Sequence, residues 1–154
     1  MRLRSILLLG SAILAHMDAA TPSKEQLASL AERYGIRLLM LFGSAVSGRE
    51  HPNSDVDLGL LLENPNLDLS KQSALRHELQ SLFPEREVDV AVINHADPLF
   101  LKQITERCRL VYGDPSEFCS LKMYAFRRYQ DHSRFLELER RYVKNLLDGI
   151  LKRT

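Results

Sequence analysis

Residues 41–63 read LFGSAVSGREHPNSDVDLGLLLE, and their order decides how the rest of the chain is read. An apolar run stops at Gly43-Ser44. Ten residues of mostly small, polar and turn-forming types follow, and the chain resumes as Asp55-Val56-Asp57 at the head of its most hydrophobic stretch. Taking a carboxylate out of water is costly unless it is paired or bound to a cation. Two acids one residue apart at the mouth of a buried strand therefore need a chemical reason. Side chains alternate across a strand. Asp55 and Asp57 share one face, while Val56, Leu58, Leu60 and Leu62 share the other and can enter a core.

Upstream, Ile36 to Phe42 reads as a short buried strand. Before it lies a helix that Thr21-Pro22-Ser23 opens, that Leu27, Leu30, Ala31 and Tyr34 line at helical spacing, and that Gly35 stops. Downstream, Asn64-Pro65-Asn66 makes a turn. Leu69 to Phe83 reads as a helix with Leu75, Leu79 and Leu82 on one face, ended by Pro84. Glu87 to Ile93 (EVDVAVI) is a third strand, Asp97-Pro98 starts a helix through Arg107, and Arg109 to Tyr112 is a short fourth strand. Gly113-Asp114-Pro115 then opens a long helical segment. This alternation predicts an α/β (α+β) fold, a small mixed sheet flanked by helices, with a C-terminal helical tail. The expected division is residues 17–114 as the chemical domain and 115–154 as the helical extension.

The length, 154 residues, suits one domain, and the apolar fraction, 45%, suffices for a core. The net charge of +1 argues neither for nor against nucleic acid. From Lys122 to Arg153, however, nine Lys/Arg face only four acids, so the tail is basic and the remainder acidic. Two cysteines, Cys108 and Cys119, lack metal-ligand spacing, and none of the five histidines falls at HxH or HxxxH spacing. A zinc site is not expected. A reducing, cytoplasmic setting is, and both cysteines are assigned to packing. Residues 1–16 have a basic start and a short apolar run from Ile6 to Ala15, the outline of a signal peptide. That run is too short to span a membrane. An upstream start with Met17 as the true first residue is the preferred reading, beside a signal peptide or an extra apolar helix.

In the third strand Asp89 lies on the face opposite Val88, Val90 and Val92. If the two strands are neighbours in the right register, Asp55, Asp57 and Asp89 converge. Three like charges repel, and a pair of divalent cations relieves them. Hard oxygen donors suit Mg²⁺, which binds a few carboxylates together with substrate phosphates. The Gly43-Ser44 turn leaves a strand and opens a short helix. There backbone N–H groups, the Ser44 hydroxyl and the absence of a Gly43 side chain suit a phosphate. Arg49 adds positive charge nearby. A lone DxD is most often a turn acid, and Gly-Ser alone is weaker still. Strand, Gly-Ser, ten residues, Ser54-Asp55-x-Asp57-Leu58, strand, and a later strand with a central Asp is far more specific.

That combination resembles the signature of the polymerase-beta-like nucleotidyltransferases. The small size, Tyr112-Gly113-Asp114-Pro115 after the last strand, and the tail MYAFRRYQDHSRFLELERRYVKN are most similar to the minimal nucleotidyltransferases (MNT) of the MntA-type adenylyltransferase antitoxin group. The resemblance implies a nucleotidyltransferase fold and transfer of AMP from ATP to a hydroxyl with release of pyrophosphate. It implies two Mg²⁺ ions, with Asp55, Asp57 and Asp89 as metal-binding and catalytic residues. Gly43, Ser44, Arg49 and Ser54 are the nucleotide-binding set. The implied partner is a cognate HEPN-type RNase toxin, a tyrosine of which accepts AMP and is thereby silenced. An oligomer with that toxin is expected, with no direct nucleic-acid or membrane partner. Two other readings remain: adenylylation of a small molecule of the aminoglycoside type, for which the chain lacks an obvious second domain, and neutralisation of the toxin by binding alone. The tail residues Tyr124, Phe126, Tyr129, Phe135 and Tyr142 are either core or a docking face. Arg127, Arg128, Arg140 and Arg141 are read as a solvated face, beside the alternative that they meet an acidic surface on the partner.

Overall fold

The computed structural model describes residues 22–47 and 55–151. The N-terminal segment, Arg49, His51 and Ser54 lie outside the described residues. Helix α1 (Lys24–Tyr34) begins at a capping box. Ser23 Oγ accepts from Gln26 N–H while the Gln26 side chain accepts from Ser23 N–H. It ends at Gly35, whose left-handed φ of 65° closes the helix onto the Ala31 carbonyl. Strand β1 (Ile36–Phe42) follows at once, then the single turn α2 (Ser44–Ser47). Strand β2 (Val56–Leu62), helix α3 (Leu69–Ser81), strand β3 (Val88–Val92), helix α4 (Pro98–Glu106), strand β4 (Arg109–Tyr112) and the 37-residue helix α5 (Pro115–Leu151) complete the order.

The four strands form one mixed sheet in the order β3-β2-β1-β4. β1 pairs antiparallel with both β2 and β4, and β2 pairs parallel with β3. This placement explains the composition of each strand. β1 is interior to the sheet and covered on both faces. Leu39 and Leu41 meet α1 and α3 in one apolar cluster, while Leu38 and Met40 meet α4 and the root of α5 in another. The alternation in β2 behaves as its sequence dictates: Val56, Leu58, Leu60 and Leu62 are buried among α1 and α3 residues. The opposite face carries Asp57, Gly59 and Leu61. β3 lies at the sheet edge, so its Val-rich sequence does not bring full burial, and Val92 stays 43% exposed.

Among the described residues, the buried positions of α5 lie at its root. Leu121 and Ala125 are buried in the second cluster, and Arg37 pairs with Glu117. Gly113, just before the helix, has φ 117° and lies against the Arg37 carbonyl and Leu38, where no Cβ would fit. Arg128, read from sequence as solvated, is half-buried. Its guanidinium donates to the Ala96 carbonyl and sits over the Tyr124 ring, because the root of α5 lies against the approach to α4. Beyond that point Phe135, Leu138, Tyr142, Val143, Leu146, Leu147 and Ile150 are all exposed. Among the described residues the aromatic tail is therefore an exposed face rather than core. Cys108 is half-buried as expected, but Cys119 is exposed on α5. Burial pushes the Cys108 thiol up, so it stays protonated and unreactive.

Two substitutions separate core from strut. Leu60→Ala empties a fully buried position and should cost about 2–5 kcal/mol in denaturant unfolding. Leu138→Ala, at a 59% exposed position, should change stability by less than about 0.5 kcal/mol.

Candidate active site

The end of β1 and the starts of β2 and β3 lie side by side, and the singled-out acids sit there. Asp57 and Asp89 are partners in the β2–β3 register, and Asp57 is the partner of Phe42 across to β1. Asp55 stands exposed one residue ahead of β2, close enough for its charge to act on Asp57. Parallel pairing at matched positions thus brings two of the three acids, Asp57 and Asp89, side by side. Gly59 and Ala91 are the next pair along the same face, so small side chains adjoin the acids.

Gly43 closes the site from the β1 side. Its φ of 73° is left-handed, and a Cβ there would overlap the Asp57 carboxylate. The glycine is required twice, once by the turn and once by the acid packed against it. The next residue, Ser44, gives its backbone N–H to the Asp57 carboxylate. From sequence this turn was assigned to a phosphate. In the structure, one of its N–H groups holds Asp57, and the Val46 N–H returns to the Gly43 carbonyl. The turn orients an acid before it meets any ligand, a duty that residue spacing does not reveal.

Asp57 feels the cost of this arrangement. Burial first, then the charges of Asp89 and Asp55, push its carboxyl above the ordinary carboxylate value, against the lowering effect of the Ser44 N–H. Among the described residues no three acidic, His or Cys side chains are drawn into a ready coordination cage. The donor set nonetheless fits a hard divalent cation: carboxylate oxygens only, one acid with a raised pKa, and glycine in place of a side chain beside it. The Glu87 carbonyl accepts from Val56 N–H at 2.8 Å and helps join β3 to β2. Sequence reading passed over Gln80 and Asn94, which bond the backbone at the two ends of the β2–β3 pair. No motif spacing marks either one.

Comparison with known proteins agrees with this geometry. The family model described as "Polymerase beta, Nucleotidyltransferase" matches residues 25–117, which contain every strand and all three acids. A comparison with curated proteins finds no match. Among solved structures, a toxin-antitoxin with AMP-PNP is 22% identical at a TM-score of 0.62, over 80% of this chain and 96% of that one. The toxin-antitoxin MntA-HepT is 20% identical at a TM-score of 0.57, over 80% and 94% of the two chains. A tri-AMPylated Shewanella oneidensis HEPN toxin in complex with MNT antitoxin gives 19% identity and a TM-score of 0.57, over 80% and 93%. At these identities the likeness is one of fold.

Two outcomes follow from the strain at Asp57. Its carboxyl holds a proton more tightly folded than unfolded, so folding is penalised progressively as pH rises from the unfolded to the folded pKa, and the penalty persists above. Without divalent cations, Asp57→Asn should melt higher than the parent at neutral pH, and the gap should close below the ordinary carboxylate range. Gly43→Ala should lower the melting temperature and cut turnover by at least about 100-fold, since displacing a reacting group by an ångström has that effect. Thermal melts and transfer assays on the same preparations check both.

Proposed function

The chain belongs to the polymerase beta nucleotidyltransferase family, and from that premise we propose that it transfers AMP from ATP to a tyrosine hydroxyl of a cognate HEPN-type RNase toxin and so acts as its antitoxin. The observation that carries this reading is the pairing of Asp57 with Asp89 at one register position, beside a glycine turn packed on Asp57. The fold neighbours support the choice of acceptor, one being an MNT antitoxin bound to a tri-AMPylated toxin. The exposed apolar stripe of α5 supports a protein acceptor as well.

In this reading Asp55, Asp57 and Asp89 would hold two Mg²⁺ ions, which would supply positive charge for the triphosphate and for the developing phenolate. The chain's own part is positioning. Gly43 lets the triphosphate approach the backbone without meeting a side chain. The Ser44 N–H holds the Asp57 carboxylate in place. Asp89, exposed at the sheet edge, is reachable from outside, and its carboxylate accepts the proton of the incoming tyrosine. The tyrosyl oxygen bonds to the α-phosphorus, the bond from that phosphorus to the bridging oxygen breaks, and pyrophosphate departs. Arg49 and Ser54 complete the nucleotide contacts. No helix among the described residues is long and apolar enough to cross a membrane, and the proposed setting is the cytoplasm.

The test uses ATP labelled on the α-phosphorus or on the γ-phosphorus, with Mg²⁺ and a lysate of the source cells. One small protein should take up the α label only, and an Asp55→Asn, Asp57→Asn double variant should label nothing. Uptake by the double variant would remove the acids from catalysis. Capture of a small partner without label would favour neutralisation by binding alone, and label on a small molecule would favour the antibiotic-type reaction.

A further inference from the structure

β3 carries the third acid and is poorly secured by its own backbone. It is only five residues long and, as an edge strand, pairs among the described residues with β2 alone. Yet its register must not move, because a slip of one residue would turn Asp89 to the opposite face. Two side-chain carboxamides supply what the backbone lacks. Gln80, at the end of α3, accepts from Val88 N–H at 3.0 Å through Oε1. Through Nε2 it donates to the Phe83 carbonyl at 3.1 Å and the Arg86 carbonyl at 2.7 Å. It thereby fixes the turn that delivers the chain to β3 and the residue immediately before Asp89. At the far end Asn94 extends the ladder past its last residue. Its Oδ1 accepts from Leu62 N–H at 3.0 Å, and its Nδ2 donates to the Leu62 carbonyl at 2.7 Å. Between them lie Val56 N–H to the Glu87 carbonyl at 2.8 Å and Ile93 N–H to the Leu60 carbonyl at 2.9 Å.

We propose that Gln80 is a positioning residue for the carboxylate site, and that with Asn94 it clamps β3 so that Asp89 stays opposite Asp57. A carboxamide suits the position, since it can accept from one N–H while donating to two carbonyls, whereas a carboxylate can only accept. The clamp rests on the assignment of Asp57 and Asp89 as the metal-binding pair. It adds that the geometry of that pair is set from α3, at a residue that touches neither acid.

The experiment compares the full-length parent with Gln80→Ala, Asn94→Ala, Glu78→Ala and Asp57→Asn. Glu78 is the matched control. It ties α3 to Arg33 and Tyr34 of α1 and leaves β3 alone. Mg²⁺ affinity is measured by calorimetry in the presence of AMP-PNP, beside kcat and KM for α-labelled ATP and the melting temperature. Gln80→Ala should weaken Mg²⁺ binding and lower kcat by about 10–100-fold, as loss of a group orienting metal ligands does, with KM for ATP little changed. Glu78→Ala should melt lower with both quantities retained. Asn94→Ala should repeat the Gln80→Ala pattern, and it carries the test if the latter does not fold. Parent-like Mg²⁺ affinity in folded Gln80→Ala and Asn94→Ala overturns the clamp, as does an equal loss in Glu78→Ala. If Asp57→Asn is inactive while Gln80→Ala is normal, only the clamp fails. If Asp57→Asn binds Mg²⁺ and transfers AMP normally, the site assignment fails and takes the clamp with it.

Discussion

Holding like charges together at one end of a sheet is the constraint the rest of the molecule serves. Asp57 and Asp89 meet only because two parallel strands pair in one register. Burial first, and then the charges of Asp89 and Asp55, work against that register and raise the carboxyl of Asp57. The opposing force is on the other side of the same strand. Val56, Leu58, Leu60 and Leu62 are each at most 1% exposed. Four such side chains contribute on the order of 6–12 kcal/mol of burial, and a slipped β2 would forfeit it. The apolar face thus fixes the polar one.

That coupling explains what could be read from the residues. Alternation in β2 put Asp55 and Asp57 together, Gly35 and Gly43 marked turns that need left-handed backbone, and Ser23 and Asp97 marked helix starts that the structure confirms as caps. The third acid was legible as a candidate because Val88 and Val90 alternate with it. Long-range pairings were not legible. That β3 is an edge strand depends on the crossover through α3, and nothing in EVDVAVI distinguishes an edge from a centre. The contacts of Gln80 with Val88 and of Asn94 with Leu62 span 8 and 32 residues and follow no repeat. The same holds for Arg128, whose polar neighbours in sequence suggested solvent while its partner, the Ala96 carbonyl, came from another element.

Glycine recurs where the chain passes close to another group, and its two sharpest uses lie where β1 gives way to the acidic site and where α5 departs. Gly43 lies against the Asp57 carboxylate, and Gly113 lies against the Arg37 carbonyl and Leu38. Between them lie β2, β3 and β4, with β1 immediately ahead of Gly43. The family match ends at residue 117, within the first turn of α5, although Leu121 and Ala125 still belong to the core. The boundary between chemistry and extension is therefore a gradient along one helix rather than a linker.

The long helix has a thermodynamic consequence. At 37 residues α5 is about 55 Å long, and among the described residues its buried positions lie near its root. Residues 137–150 are exposed, so helical order there draws on local propensity and side-chain pairing along the helix, which hold a segment of that length marginally. Root and tip therefore belong to different cooperative units. A helical signal followed on heating will mix fraying of the tip with collapse of the sheet. One melting curve then yields no single enthalpy, and a two-state fit will underestimate the cooperativity of the catalytic fold.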